Sequence, residues 1–397
     1  MRSNIMGITL KTGLGSGIVI AAAMAGMPAA MAQDVVKIGL IAEMSGPFAE
    51  FGKQMEAGIK VYQKQFGETV AGKKVVVVIK DVGGPNPEVA KRHAQELVVR
   101  DKVQFLAGFG FSPNALAVAP VATESKTPMI VMNAAAAELT ARSPYMVRVS
   151  FSFPNIVPPI ARWAVDQGYK TAYSVVADYS PGQDVEKSFA AAYKAAGGEL
   201  VGSVRTPITT LDFSPYMQKI KDVKPAAVFT YVNAGDVAPA FMREFRNRKL
   251  ADVGSVLIGT GDITDEAAID SMGDDALGVV TGYPYSMDHD SPENKKYVQD
   301  FKALRGATAR PTIMSVAAYD GMAAIYEALR KTGGKGDGDA MLAALKGLKL
   351  TSPRGPIQID AGNRDIIQRV YMRKVQKVDG RLANVEFATI EPKAETK

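Results

Sequence analysis

Residues 36–66 read VKIGLIAEMSGPFAEFGKQMEAGIKVYQKQF, and two periodicities meet in them. Residues 36–42 form an apolar, β-branched run, the pattern of a strand covered on both faces. After the loop Ser45-Gly46-Pro47, Phe51, Met55, Ile59, Tyr62 and Phe66 recur at steps of four, four, three and four, which lines one helical face. Strand, loop and amphipathic helix in that order are the unit of a parallel sheet wrapped in helices, because parallel neighbours need a crossover between them.

The unit repeats along the chain. Strand-like runs at 75–80, 103–107 and 128–133 alternate with helical stretches at 87–100 and from Ser112-Pro113, where serine caps and proline fits a first turn. A second series follows, with runs at 171–176, 200–204, 226–231, 255–259 and 278–281 and helices near 183–196, 214–222, 236–248 and 264–270. Two such series predict an α/β fold of two doubly wound parallel-sheet lobes. From residue 284 the pattern becomes consecutive helices at 292–305, 313–330 and 338–348, then a strand pair around 356–375, as expected if the chain returns to its first lobe. The Gly-rich KTGGKGDGD at 331–339 lacks the preceding strand and the Gly-Lys-Ser/Thr ending of a phosphate loop, and reads as a surface turn.

Residues 1–32 have the makeup of a signal peptide: Arg2 and Lys11 give a positive start, 13–27 are apolar, and Ala30-Met31-Ala32 supplies a small-x-small cleavage signal. The run is Gly/Ala-rich and falls short of the ~20 strongly apolar residues of a membrane span, so cleavage is expected, with an uncleaved anchor as the alternative. The 397 residues contain no cysteine, which excludes a lipidated N-terminal cysteine, disulfides, thiolate metal sites and a cysteine nucleophile. A protein free in the exported compartment is expected. Loss of Arg2 and Lys11 lowers the formal charge from +6 to +4, and the remaining basic residues lie dispersed among acids, so no nucleic-acid partner is indicated.

Chemistry is scarce. The two histidines, His93 and His289, have no second histidine at metal-binding spacing, and no G-x-S-x-G elbow or full G-x-G-x-x-G is present. Neither a metal nor a cofactor is expected. Three loops instead fall at strand ends, where ligands of open parallel sheets collect: 45–52, 108–114 and 133–140. Their Gly and Ala residues let a small ligand approach the backbone, and Ser112 offers either a plain cap or a hydroxyl for an anionic head group.

Several stretches resemble the type I periplasmic binding proteins of the leucine/isoleucine/valine-binding family, which serve ABC importers. They are VKIGLIAEMSGPFAEFGKQMEAGI, LAGFGFSPNALAVAPVATESKTPMIVMNAAAAELT, VVADYSPGQD, VFTYVNAGD, AAYDGM and RGPIQID, in family order over nearly all of residues 34–390. The resemblance implies two lobes joined by a three-crossover hinge, with crossings near 150–154, 281–284 and 354–358. Lobe 1 would comprise 33–150 plus 284–354, and lobe 2 would comprise 151–283 plus 355–397. It implies further that Phe51 walls a ligand pocket, that Phe111 and Ser112 hold a ligand carboxylate, and that Asn133, Ala134 and Ala135 line the same loop. From lobe 2, Tyr179, Ser180, Asn233 and Asp262 would meet the ligand's other side. The partners it implies are a small carboxylate or amino-acid ligand and an ABC permease; the protein is expected to be a monomer and not an enzyme.

Two departures bear on the ligand. Amino-acid-binding relatives carry a hydroxyl residue where Ala135 stands, and an acidic residue near Gly261 for the ligand ammonium, a part that Asp262 would have to take from the next position. An unpaired buried ammonium would cost on the order of 3 to 5 kcal/mol. Phe51, Phe111, Tyr179 and Tyr283 suit a flat apolar body, so an apolar or aromatic carboxylate is favoured over a branched-chain amino acid. The rival from another class is an exported hydrolase using carboxylates such as Asp178, Asp236 and Asp262. A sensor subunit would share the same fold and pocket.

Overall fold

The computed structural model describes residues 34–392, so the expected signal peptide and its cleavage site lie outside the described residues. The first series runs β1 (Val35–Ala42), α1 (Ala49–Phe66), β2 (Thr69–Val70), β3 (Lys73–Asp81), α2 (Pro87–Val99), β4 (Phe105–Gly108), α3 (Ser112–Ser125), β5 (Met129–Val131) and β6 (Met146–Arg148). These strands form a sheet of order β2-β3-β1-β4-β5-β6, parallel except for β2. Ile38, Leu40 and Ile41 of β1 are fully buried, as a central strand covered on both faces requires.

The second series runs α4 (Phe153–Asp166), β7 (Thr171–Ala177), α5 (Ser180–Ala195), β8 (Glu199–Thr206), α6 (Ser214–Val223), β9 (Ala227–Tyr231), α7 (Val237–Asn247), β10 (Val256–Thr260), α8 (Ile269–Met272) and β11 (Val280–Tyr283). Next come α9 (Pro292–Arg305), α10 (Ile313–Lys331), α11 (Gly338–Leu345), β12 (Lys349–Ser352), β13 (Gly355–Ile359), β14 (Ile366–Gln368), β15 (Val370–Val378) and β16 (Arg381–Ile390). The second sheet has the order β16-β15-β11-β10-β9-β7-β8, with β15 antiparallel to both neighbours. A third, antiparallel sheet holds β12, β13 and β14. The helices α9 and α10 return to the first series and pack on α1. Gly58 makes the α1–α10 approach possible, since a Cβ there would stand 1.9 Å from the Ser315 carbonyl oxygen.

The strand pair expected around 356–375 is divided in the structure. β13 and β14 belong to the third sheet, and the chain joins the second sheet only at β15, past residue 368 rather than near 354–358. Ion pairing holds the stretch back: the fully buried Arg148 on β6 binds Asp365, and Arg364 donates to the carbonyls of Met146 (3.2 Å) and Thr140 (2.8 Å). The helix expected at 264–270 is replaced by a 3-10 turn over Gly261–Thr264 and the single turn of α8. β6, α4 and β16 are additional; the prolines at 154, 158 and 159 obscure the helical period of α4. Arg354 ties the crossing segments together. Buried beside Asp320 (2.9 Å), it donates to the Ser150 carbonyl at 2.8 Å, while its own carbonyl accepts from the Tyr371 hydroxyl at 2.8 Å.

Candidate ligand-binding cleft

Each large sheet has one point where its strand order reverses. β1 lies between β3 and β4, and β7 lies between β8 and β9, so the loops leaving these strands bracket a crevice at the carboxyl edge. The two crevices meet. The rings of Phe111 and Tyr179 are 6.4 Å apart between centroids, and the Ala137 N–H donates to Asp184 Oδ2 at 2.7 Å.

On the first-sheet side, Gly108 (φ 106°) and Phe109 (φ 68°) turn the chain sharply after β4. A buried phenylalanine held in the left-handed region costs about 1–2 kcal/mol, and residues held this way concentrate at functional sites. The turn sets Phe111 on edge to Phe48 (4.8 Å) and stacked with Phe51 (5.5 Å), and then starts α3. Ser112 Oγ accepts the Ala136 N–H at 3.1 Å, which leaves its O–H as a donor. Asn133 Nδ2 donates to the Gly110 carbonyl (2.8 Å), while its Oδ1 is buried without a partner. Ala134 and Ala135 are buried; the Ala134 N–H donates to Phe109 O at 2.9 Å, and the Ala135 carbonyl accepts from the Phe153 N–H at 3.4 Å. The first turn of α3 presents N–H groups with no helical partner and the positive end of the helix dipole.

On the second-sheet side, α5 also opens with Ser-Pro, and the Ser180 Oγ is buried without a partner. The Tyr179 hydroxyl donates to Asn233 Oδ1 (2.9 Å) and meets the Tyr231 hydroxyl, which itself lies 3.3 Å from the same Asn233 oxygen. Burial pushes both phenols up. Asp262 accepts from Thr260 Oγ1 (2.8 Å) and the Tyr283 hydroxyl (3.2 Å). Desolvation raises it to about 6 against the pull of those donors, and raises Asp265 to about 7. Tyr283 packs on Phe151 (5.2 Å) with the Arg373 guanidinium 5.0 Å from its ring, and Tyr231 packs on Phe153 (4.5 Å). A cavity of about 310 Å³ opens between the sides beside Phe48 and Phe51, bounded across the cleft by Gly235, Asp236 and Asp265.

Nine of the anticipated residues thus lie on the facing loops and first helical turns, and Asp262 is linked to them by way of Tyr283, Phe151, Phe153 and Tyr231. Phe51, Phe111, Tyr179 and Asn233 form one chain of contacts, and Ser112, Asn133 and Ala134 tie the 108–112 and 133–136 segments together through Ala136, Gly110 and Phe109. The acids considered for hydrolysis differ in setting: Asp178 and Asp236 are exposed, whereas Asp262 is buried. Glu43, Phe48, Asn114, Phe153, Tyr231 and Arg373 escaped the sequence reading. Tyr231 carried a usable signal as the last residue of an apolar strand, and so did Glu43 as a lone acid directly after one. Among the described residues no group of three or more His, Asp and Glu side chains is arranged to hold a metal ion, and no helix is long and apolar enough to cross a membrane.

The sequence profile of the periplasmic binding protein family matches residues 35–381. A "Leu/Ile/Val-binding protein homolog 6" from Brucella melitensis is 45% identical over 359 residues, covering 90% of this chain and 92% of its own length. Among solved structures, a solute-binding protein of an ABC transporter from Rhodopseudomonas palustris BisB5, in complex with 3,4-dihydroxybenzoic acid, is 47% identical. It aligns with a TM-score of 0.88 over 91% of this chain and 99% of that one. Another R. palustris solute-binding protein, in complex with 4-hydroxybenzoate, is 42% identical with a TM-score of 0.89 and the same coverage.

Proposed function

The chain belongs to the type I periplasmic binding proteins of the leucine/isoleucine/valine-binding family, and from that premise we propose that its ligand is an aromatic carboxylate. The observation that carries the reading is the facing pair of helix starts, Ser112-Pro113 of α3 and Ser180-Pro181 of α5, set among Phe51, Phe111 and Tyr179. Two helix N-termini with serine hydroxyls suit one carboxylate, and the stacked rings suit a flat aromatic body. Relatives sharing 42–47% of their residues with this chain hold hydroxybenzoates, which supports the same ligand class here.

The lobes of the proposal are residues 34–150 with 284–368, and 151–283 with 369–392, the second boundary following the sheet membership of β14 and β15. A ligand touching both lobes favours the closed arrangement through contacts that the open one lacks, so capture is a population shift about the hinge. The closed protein, an exported monomer, then delivers its cargo to a membrane permease and alters no bond in it. Branched-chain amino acids are the competing ligands, with Asp262 as the ammonium partner. Against them, both Asp262 oxygens already accept hydroxyl donors. Calorimetric titration of the mature protein with 4-hydroxybenzoate, benzoate and leucine separates the two. The reading requires binding of the aromatic acids and none of leucine; saturable leucine binding alone overturns it. Recovery of intact ligand after incubation distinguishes a carrier from an enzyme.

A further inference from the structure

Glu43 is fully buried where β1 ends, and no part of the ligand reading uses it. Its carboxyl is the junction of three loops. It accepts Asn114 Nδ2 from α3 at 3.1 Å, and the same Asn114 amide donates to the Gly84 carbonyl at 3.0 Å, in the loop after β3. It presses on Gly110, where a Cβ would stand 2.0 Å from Oε2, so a side chain at 110 would displace the Glu43 carboxyl from beneath the Phe109–Phe111 turn. From α1, Gly52 donates its N–H to the Glu43 carbonyl at 3.1 Å. The charged group acting on it is Asp81 at the end of β3, a like charge; no cation is bonded to it. The carboxyl therefore sits directly beneath the loop that carries Phe111 and Ser112, buried with the Asn114 amide as its side-chain donor and the backbone N–H groups of Glu43 and Gly110 beside it.

We propose that Glu43 is a positioning residue for ligand capture that works as a neutral acid, holding the 108–114 loop and the start of α3 in place for an anionic guest. Two physical effects require neutrality. Ionising a carboxyl in this enclosed place costs its hydration, and that cost outweighs what the Asn114 amide and the backbone N–H groups of Glu43 and Gly110 return to the anion. A carboxylate at this junction would also place negative charge behind the helix N-terminus that receives the ligand's own, and the two would repel. Burial accordingly raises the group to about 8. Occupied cleft and protonated Glu43 thus favour each other, and linkage makes capture weaken as the proton leaves.

The inference rests on the anionic-ligand reading, and its test separates the two. Calorimetry of the mature protein with 4-hydroxybenzoate would be run from pH 6.5 to 8.5, beside Glu43→Gln, which keeps the shape of the neutral acid. Wild type should lose about fourfold more affinity over that range than Glu43→Gln, in which the titration of Asp265 at the cleft remains. Equal slopes in both proteins, or no slope in wild type, would overturn the role of Glu43 and leave the ligand reading intact. Absence of binding at every pH would end the ligand reading. The positioning role would then be decided without ligand, by hydrogen exchange at residues 109–114. Protection that falls above pH 8 in wild type but not in Glu43→Gln supports the role, and pH-independent protection refutes it. Should Glu43→Gln fail to fold, the carboxyl carbon-13 resonance of Glu43 in wild type decides the matter: a midpoint above 7 supports the role, and one near 4.5 refutes it.

Discussion

On the first-sheet side of the cleft the polar groups are backbone amides, the Ser112 hydroxyl and the Asn133 amide, whose Oδ1 is unpartnered, set among Phe48, Phe51 and Phe111. On the second-sheet side Tyr179, Tyr231, Asn233, Thr260, Asp262 and Tyr283 give a run of hydroxyls ending in a buried carboxyl. Both sides start a helix with Ser-Pro, yet only Ser112 is engaged inside the protein; Ser180 Oγ has no partner. The contrast separates two tasks. The first side is built in advance, its turn strained and its serine already fixed. The second side holds a run of hydroxyls already bonded to one another, with Ser180 Oγ unpartnered, and its donors and acceptors suit ring hydroxyls rather than a second anion.

The contrast can be broken by substitution, most forcefully at Phe111. Phe111→Ala removes the ring that touches Phe48, Phe51 and Tyr179, and should lower stability by about 3–5 kcal/mol and 4-hydroxybenzoate affinity by at least tenfold. Denaturant melts and calorimetry read both; unchanged affinity would mean that the guest does not lie against the first side.

Asp262→Asn sharpens the other wall. Its folded-state value, about 6, lies above the ordinary aspartate value of 3.8, so this group's stabilising contribution is complete below about 3.8 and is lost as pH rises through 6. The asparagine variant should therefore gain on wild type by up to about 3 kcal/mol between pH 4 and pH 8, and melting curves at the two pH values test this. Benzoate affinity should stay unchanged, because benzoate carries no ring hydroxyl to bond there.

The serines provide a smaller and more discriminating pair. Ser112→Ala strips the Ala136 N–H of its acceptor and should cost about 1–3 kcal/mol of stability as well as affinity. Ser180→Ala removes a hydroxyl that is unpaired, so it should leave stability within about 0.5 kcal/mol of wild type and lower affinity alone. Equal stability losses in the two variants would erase the asymmetry. Smallest of all, Lys60→Ala breaks the exposed pair with Glu56 (2.6 Å) and should change stability by less than about 0.5 kcal/mol and affinity not at all.

The positions of the strand ends were legible because a parallel strand buried on both faces is a solid apolar run, as in IGLIA or AVFTY, and its end is sharp. Loops follow from strand ends, which is how Ser112 and Asn133 can be picked out from the residues, whereas Tyr179 and Asn233 come from the family resemblance. What stayed hidden depends on contacts between segments far apart in the chain. Arg148 with Asp365 holds β13 and β14 away from the second sheet, and no local pattern announces a pair separated by 217 residues. Glu43 was invisible for the same reason, since an acid after a strand is ordinary until Asn114 and Gly110 are seen to close over it.

A crystal structure of the mature protein grown with 4-hydroxybenzoate tests the central claim most directly. The carboxylate should lie within hydrogen-bond distance of the Ser112 hydroxyl at the start of α3, with the ring beside Phe111 and its hydroxyl turned toward Tyr179, Tyr231 or Asp262. Density for the acid outside the cleft, or a co-purified α-amino acid with its ammonium on Asp262, would contradict the claim.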